Sequence, residues 1–185
     1  LAEEIVNAVP CADVIRLCLS GTDSNFYAIQ AARAFSGKDK ILKFEGSFHG
    51  MSEYFTMSAG TPASIKNEVL VAPFNDIETT LNVIEEHAEE LAAVIVEPFQ
   101  RFIRPKPGFL EGLRQVTEHY QIPLIFDEVV TGFRWAYGGA QEYYGVTPDL
   151  AAYGKAMGGG FPVAALCGRE EIMAHFDPDM EATGR

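Results

Sequence analysis

Apolar and polar positions alternate along the chain in two different rhythms. Short runs dominated by apolar residues at 14–19, 40–45, 91–97 and 123–127, with briefer ones at 150–153 and 163–167, have the length of buried strands. Between them apolar residues recur at helical spacing: Phe26, Ile29 and Ala32 within a helix over 24–35, then Ile77, Leu81, Ile84 and Ala88, then Phe109, Leu113, Val116 and Tyr120. Asn75 and Glu78 form a capping-box pattern ahead of the second of these helices. Residues 1–10 read as the tail of a helix already in progress. Strands alternating with helices predict βαβ units, hence an α/β fold around a mostly parallel sheet. No internal repeat, low-complexity tract or interdomain linker breaks the pattern, so the chain reads as one domain over 1–185.

Composition narrows the function classes. Of the 185 residues 48% are hydrophobic and 22% charged, the profile of a globular protein with a sizeable core. A net charge of −12 argues against a sequence-independent grip on nucleic acid, which needs clustered Lys and Arg. Cys11, Cys18 and Cys167 form no CxxC and have no His at metal spacing, so they read as reduced thiols of a cytosolic protein with no metal. No apolar run approaches the ~20 residues of a membrane span, and no basic-then-apolar leader opens the chain. The start at Leu1 and the loop-like end over 177–185 predict a fragment of a longer chain.

In open α/β sheets ligands bind beyond the carboxyl ends of the strands, and each such end carries a candidate. Ser20-Gly21-Thr22-Asp23 leads from the first strand into a helix, where free N–H groups and the helix dipole suit an anion. The same residues also serve as ordinary caps. After the second strand, Phe48 between glycines can lie against a planar ligand, or be a core ring beside a solvated His49. Asp127 ends an apolar strand, where a carboxylate needs a partner, a cation or a helix N-terminus. Glu128 beside it has no His at ligand spacing. Lys155 opens a glycine-rich loop after the strand at 150–153. A lysine desolvated there can act as a neutral amine and form a Schiff base, whereas a surface lysine is the plain alternative.

An anion cradle, an aromatic platform, a buried carboxylate and a lysine, each at a different strand end, match the needs of pyridoxal 5'-phosphate. The sequence resembles class-III aminotransferases of the fold-type-I pyridoxal-phosphate superfamily, and most closely their glutamate-1-semialdehyde 2,1-aminomutase branch. The resemblance runs over nearly the whole chain and is densest at 20–23, 43–50, 96–98, 105–114, 126–134 and 147–163. It implies a three-layer fold, a mostly parallel sheet with helices on both faces, truncated at both ends: the large cofactor domain without most of the N-terminal segment and without the C-terminal small domain. It implies amino-group transfer between a small-molecule amine or amino acid and a carbonyl acceptor, in a cytoplasmic homodimer, with the fragment inactive alone.

Residue by residue, the resemblance implies that Ser20, Gly21 and Thr22 hold the phosphate. Phe48, where many members carry Tyr, stacks on the ring, and Val129 lies against its other face. Asp127 bonds the ring nitrogen, Lys155 binds the aldehyde, and His49 and Glu97 lie beside the cofactor. Two departures stand out. Asp23 occupies a position where Glu is common, and Phe99–Arg104 replaces a longer loop that contains Gly-Asn in the aminomutases, which favours a transaminase over the aminomutase. The family's Gly-Thr, whose Thr reaches the phosphate of the neighbouring subunit, is not within these residues.

Overall fold

A computed structural model describes residues 1–56 and 59–177; beyond Asp177 the expected terminal loop lies outside the described residues. The strands are β1 (Val14–Cys18), β2 (Lys40–Phe44), β3 (Val69–Ala72), β4 (Leu91–Val96), β5 (Leu124–Asp127), β6 (Leu150–Tyr153) and β7 (Ala164–Gly168). The helices are α1 (Ala2–Ala8), α2 (Gly21–Ser36), α3 (Glu53–Thr56), α4 (Ala63–Asn67), α5 (Ile77–His87), α6 (Phe109–His119), α7 (Ala140–Tyr144) and α8 (Glu170–Met173). All strands join one sheet in the order β1-β7-β6-β5-β4-β2-β3. From β3 across to β6 every pairing is parallel, while β7 runs antiparallel between β6 and β1.

The sheet is covered on both faces, as its apolar runs demand: every residue of β4 and β5 is buried. Along β4 and β5 the side chains alternate. Val94, Val96 and Phe126 pack with Ile5 of α1, Ile84 of α5 and Leu113 of α6, whereas Ala93, Ile95 and Ile125 pack with Ala28 and Ile29 of α2 and Ile172 of α8. Each aliphatic side chain so enclosed contributes about 1.5–3 kcal/mol relative to exposure. Phe44, Phe74 and Phe109 meet edge to face at 5.1–6.1 Å and close the first of these layers.

The predicted strands each match within a residue at either end. The sequence pattern misses β3, a four-residue strand at the sheet edge. Two helix details differ. α5 is capped by Asp76, whose carboxylate accepts from Thr79 N–H at 3.1 Å, and not by the Asn75–Glu78 pair. Asn75 adopts φ +67°, and its side chain instead ties down Arg104 and Lys106 of a distant loop. In α2 the buried face is Asn25, Ala28, Ile29 and Ala32, so Phe26 is only half-buried and a polar residue occupies a core position.

Candidate active site

β1, β2, β4, β5 and β6 deliver their carboxyl ends to one edge of the sheet, and the candidate residues follow those ends. α2 begins at once after β1. Ser20 is its N-cap: Oγ accepts from Asp23 N–H at 3.2 Å and donates to Asp23 Oδ2 at 2.8 Å. The N–H groups of Gly21 and Thr22 precede the first intrahelical bond, which Ser24 N–H makes to Ser20 O, so they are available to an anion. Three loops press against this turn. A Cβ on Gly21 would lie 2.7 Å from a Val129 methyl, one on Gly50 2.5 Å from Thr22 Oγ1, and one on Gly154 3.5 Å from Gly21 N. Glycine at 21 and 50 thus lets the turn after β5 and the loop after β2 close onto the helix N-terminus.

Asp127, 5% exposed, is bonded by protein on both oxygens. Oδ2 lies 2.8 Å from both Asn25 Nδ2 and His49 Nδ1, and Oδ1 accepts from Val129 N–H at 3.0 Å. It is therefore not a helix cap. Phe48 and His49 reverse one of the sequence readings: Phe48 is 52% exposed, whereas His49 is 1% exposed and packs edge-on against Phe55. Glu97, after β4, accepts from Phe48 N–H at 2.7 Å and so anchors the exposed ring's backbone. Burial pushes the Glu97 carboxyl above the usual range, and the nearby Asp127 charge adds to this, against the lowering effect of the Phe48 N–H and of His49.

Lys155 sits where β6 gives way to a tight turn, Lys155–Gly158, ahead of the reversed β7. Its backbone holds φ +46°, a left-handed conformation costly for a residue with a Cβ, and such strain clusters at functional sites. The side chain is exposed, in contrast to the desolvated lysine the glycine-rich setting suggests.

Glu128 points elsewhere despite adjoining Asp127. Fully buried, it accepts from Thr131 Oγ1, from Ala140 N–H at 2.7 Å and from Gln141 N–H at 2.9 Å, and so braces the start of α7. The three cysteines are free and buried, and burial pushes the Cys167 thiol up to about 12. Sequence reasoning missed Asn25; the signal was an Asn at the i−4 position to Ile29 on an apolar helix face. The loop that departs from the aminomutase pattern is a two-residue hairpin turn. Gln100 and Ile103 bond each other reciprocally at 3.1 and 2.7 Å, and Arg101 and Phe102 take positive φ where Asn-Gly is usual. Gln100 Nε2 pins this turn to Glu45 O at 2.6 Å.

Glu97→Gln keeps an acceptor for Phe48 N–H and removes the buried charge. Because the folded-state value of Glu97 is raised, its favourable contribution is complete below the unfolded carboxyl range, about 4.3, and is lost as pH rises through the folded value. Thermal melting from pH 4.5 to 8 is therefore expected to fall less steeply in the variant, which gains a few degrees at pH 7.5. Parallel curves would mean that the carboxylate is screened.

Residues 1–184 match the family described as aminotransferase class-III. Glutamate-1-semialdehyde 2,1-aminomutase of Methanocaldococcus jannaschii is 46% identical over 195 aligned positions, which take in 96% of this chain and 46% of that protein. An omega-transaminase from Sphaerobacter thermophilus superposes with a TM-score of 0.92 at 42% identity, over 96% of this chain and 45% of that one. A glutamate-1-semialdehyde aminomutase from Pseudomonas aeruginosa PAO1, solved in complex with PMP, gives 0.84 at 25% identity, over 95% of this chain and 42% of that one. The chain thus spans a little under half the length of the relatives it matches. Among the described residues no helix is long and apolar enough to cross a membrane. With the family matching residues 1–184 and a curated relative 46% identical over 96% of the chain, the chain belongs to the class-III aminotransferases.

Proposed function

We propose that this protein transfers an amino group between an amine or amino acid and a carbonyl acceptor, with pyridoxal phosphate as cofactor. Residues 1–185 form the large cofactor domain of a cytoplasmic homodimeric enzyme whose N-terminal segment and small domain lie outside this chain. The observation that carries the reading is Asp127: a buried carboxylate, clamped by three donors and with an acceptor position to spare, at the same sheet edge as Lys155 and the open N-terminus of α2.

The residues fit that cofactor. A phosphate suits the N–H groups of Gly21 and Thr22, at the positive end of α2, and Ser20 Oγ would join them by turning its proton away from Asp23 Oδ2. The exposed Phe48 ring and the Val129 methyls offer apolar surfaces for the two faces of a flat ring, with Glu97 holding the Phe48 backbone. Pyridoxal phosphate supplies an aldehyde that takes up the amino group and an electron-poor ring that stabilises negative charge on the reacting carbon. Asp127 keeps a proton on the ring nitrogen, because a buried carboxylate favours a cation beside it. Lys155 would hold the aldehyde, and its amine, when free, would take the proton from the substrate carbon as general base and deliver it as general acid to the carbon derived from the aldehyde.

A second reading, glutamate-1-semialdehyde 2,1-aminomutase activity, is favoured by the 46% identity to the M. jannaschii protein of that name. One experiment separates the two. The full-length, cofactor-loaded protein is given an amine donor with pyruvate or 2-oxoglutarate, and separately glutamate-1-semialdehyde alone, while light scattering gives its mass. Turnover that needs the second carbonyl substrate, in a particle of two chains, is the expected result. Rearrangement of the semialdehyde without a co-substrate supports the second reading. Inactivity in both assays, or full activity as a monomer, contradicts the proposal.

A further inference from the structure

Asp127 is held by a clamp of donors from three parts of the chain. A carboxylate offers about four acceptor positions, two on each oxygen. On Oδ2 both are taken, by Asn25 Nδ2 and His49 Nδ1, each at 2.8 Å; on Oδ1 one is taken by Val129 N–H at 3.0 Å. The clamp is itself braced. Asn25 gives its other N–H to His49 O at 3.1 Å, so its amide faces two acceptors and its orientation is settled. The His49 side chain is fully buried and lies against Phe55 with ring centroids 5.4 Å apart. Among the described residues its Nε2 has no partner, whereas Nδ1 lies 2.8 Å from Asp127 Oδ2, so a proton on Nδ1 is the arrangement that makes a hydrogen bond. These three residues come from α2, the loop after β2 and the end of β5, and a buried hydrogen-bond network between distant elements fixes their relative geometry.

We propose that His49 and Asn25 are positioning residues for the amino transfer: they saturate Asp127 Oδ2 and leave an acceptor position on Oδ1 as the single one for the ring nitrogen. This rests on the function proposed above, since it assumes that Asp127 meets that nitrogen. Both residues act through the carboxylate. His49 stops it from rotating about its last bond, and Asn25 ties the carboxylate to the backbone that carries the stacking ring of Phe48. A carboxylate free to turn would share its charge between two directions and hold the ring proton less firmly.

The test uses the full-length protein loaded with pyridoxal phosphate carrying ¹⁵N at the ring nitrogen, with Asp127→Asn as reference. In His49→Leu and Asn25→Leu the ring-nitrogen signal is expected to move toward that of Asp127→Asn. Cofactor dissociation should be about tenfold faster and kcat about tenfold lower, the scale of one hydrogen bond to a charged group, with KM for the amine donor within about twofold. His49→Asn, whose amide N–H can stand close to the place of Nδ1, should restore the signal and most of the rate. Leucine variants with the wild-type signal and cofactor retention overturn the proposal, as does a His49→Asn no better than His49→Leu. Should His49→Leu not fold, a wild-type signal in Asn25→Leu overturns it equally. If Asp127→Asn itself leaves the signal unmoved, it is the function proposed above that fails, because Asp127 then does not meet the ring nitrogen.

Discussion

Lys155→Ala in the full-length protein is expected to lower turnover by at least about 10³-fold, roughly 4 kcal/mol of transition-state stabilisation, while leaving fold and non-covalent cofactor binding in place. The reason lies in how the residue is held. At φ +46° an alanine pays the same Cβ penalty as lysine, so the substitution removes the amine without relaxing the turn. Lys155 is exposed, so little packing is lost. Phosphate and ring contacts come from other strand ends and survive. Borohydride reduction of the loaded protein followed by peptide mapping checks this directly. Wild type should carry the cofactor on Lys155 and the variant on no lysine; an adduct on any other lysine would remove Lys155 from its assigned place.

Asp127→Asn is expected to cost about 10²-fold or more in turnover, about 2.7 kcal/mol, and to loosen the fold as well. An amide cannot satisfy the clamp. If its oxygen faces Asn25 and His49, its NH₂ meets the N–H of Val129 and offers a donor to the ring nitrogen, where an acceptor is required. If it is turned the other way, NH₂ faces two donors. Either arrangement leaves a buried donor unpaired, a penalty of about 1–3 kcal/mol. Kinetics and thermal unfolding should thus both move, and a variant within a factor of two of wild type in turnover would reduce Asp127 to a structural role. Glu128→Gln, one residue along, is the contrast: its bonds brace α7, so it should change stability more than catalysis.

The division between what the residues alone determine and what folding decides follows the range of the interactions involved. Six strands and the central helices were legible because burial imposes a local rhythm, and a short unbroken apolar run such as 91–96, ended by Glu97-Pro98, suits a strand covered on both faces. The chemistry at Ser20, Asp127 and Lys155 was legible for a related reason: a polar residue at the end of an apolar strand must sit at the sheet's edge, where ligands bind. Even the reversal of β7 has a local cause, since the ten residues between Tyr153 and Ala164 are too few for a parallel crossover, which needs a dozen or more. Which neighbour of a pair turns inward was not legible. Phe48 by composition belongs in a core and His49 in solvent, yet the fold does the opposite. The partners that make a buried His49 affordable, Asp127 and Asn25, stand 78 residues beyond it and 24 before it. Asp127 and Glu128 are likewise indistinguishable as adjacent carboxylates, until one meets His49 and the other the N–H groups of α7. A buried polar group is tolerated only where distant donors converge on it, and that convergence is set by sheet order and by close approaches such as Gly21 on Val129, which exist only once the chain has folded.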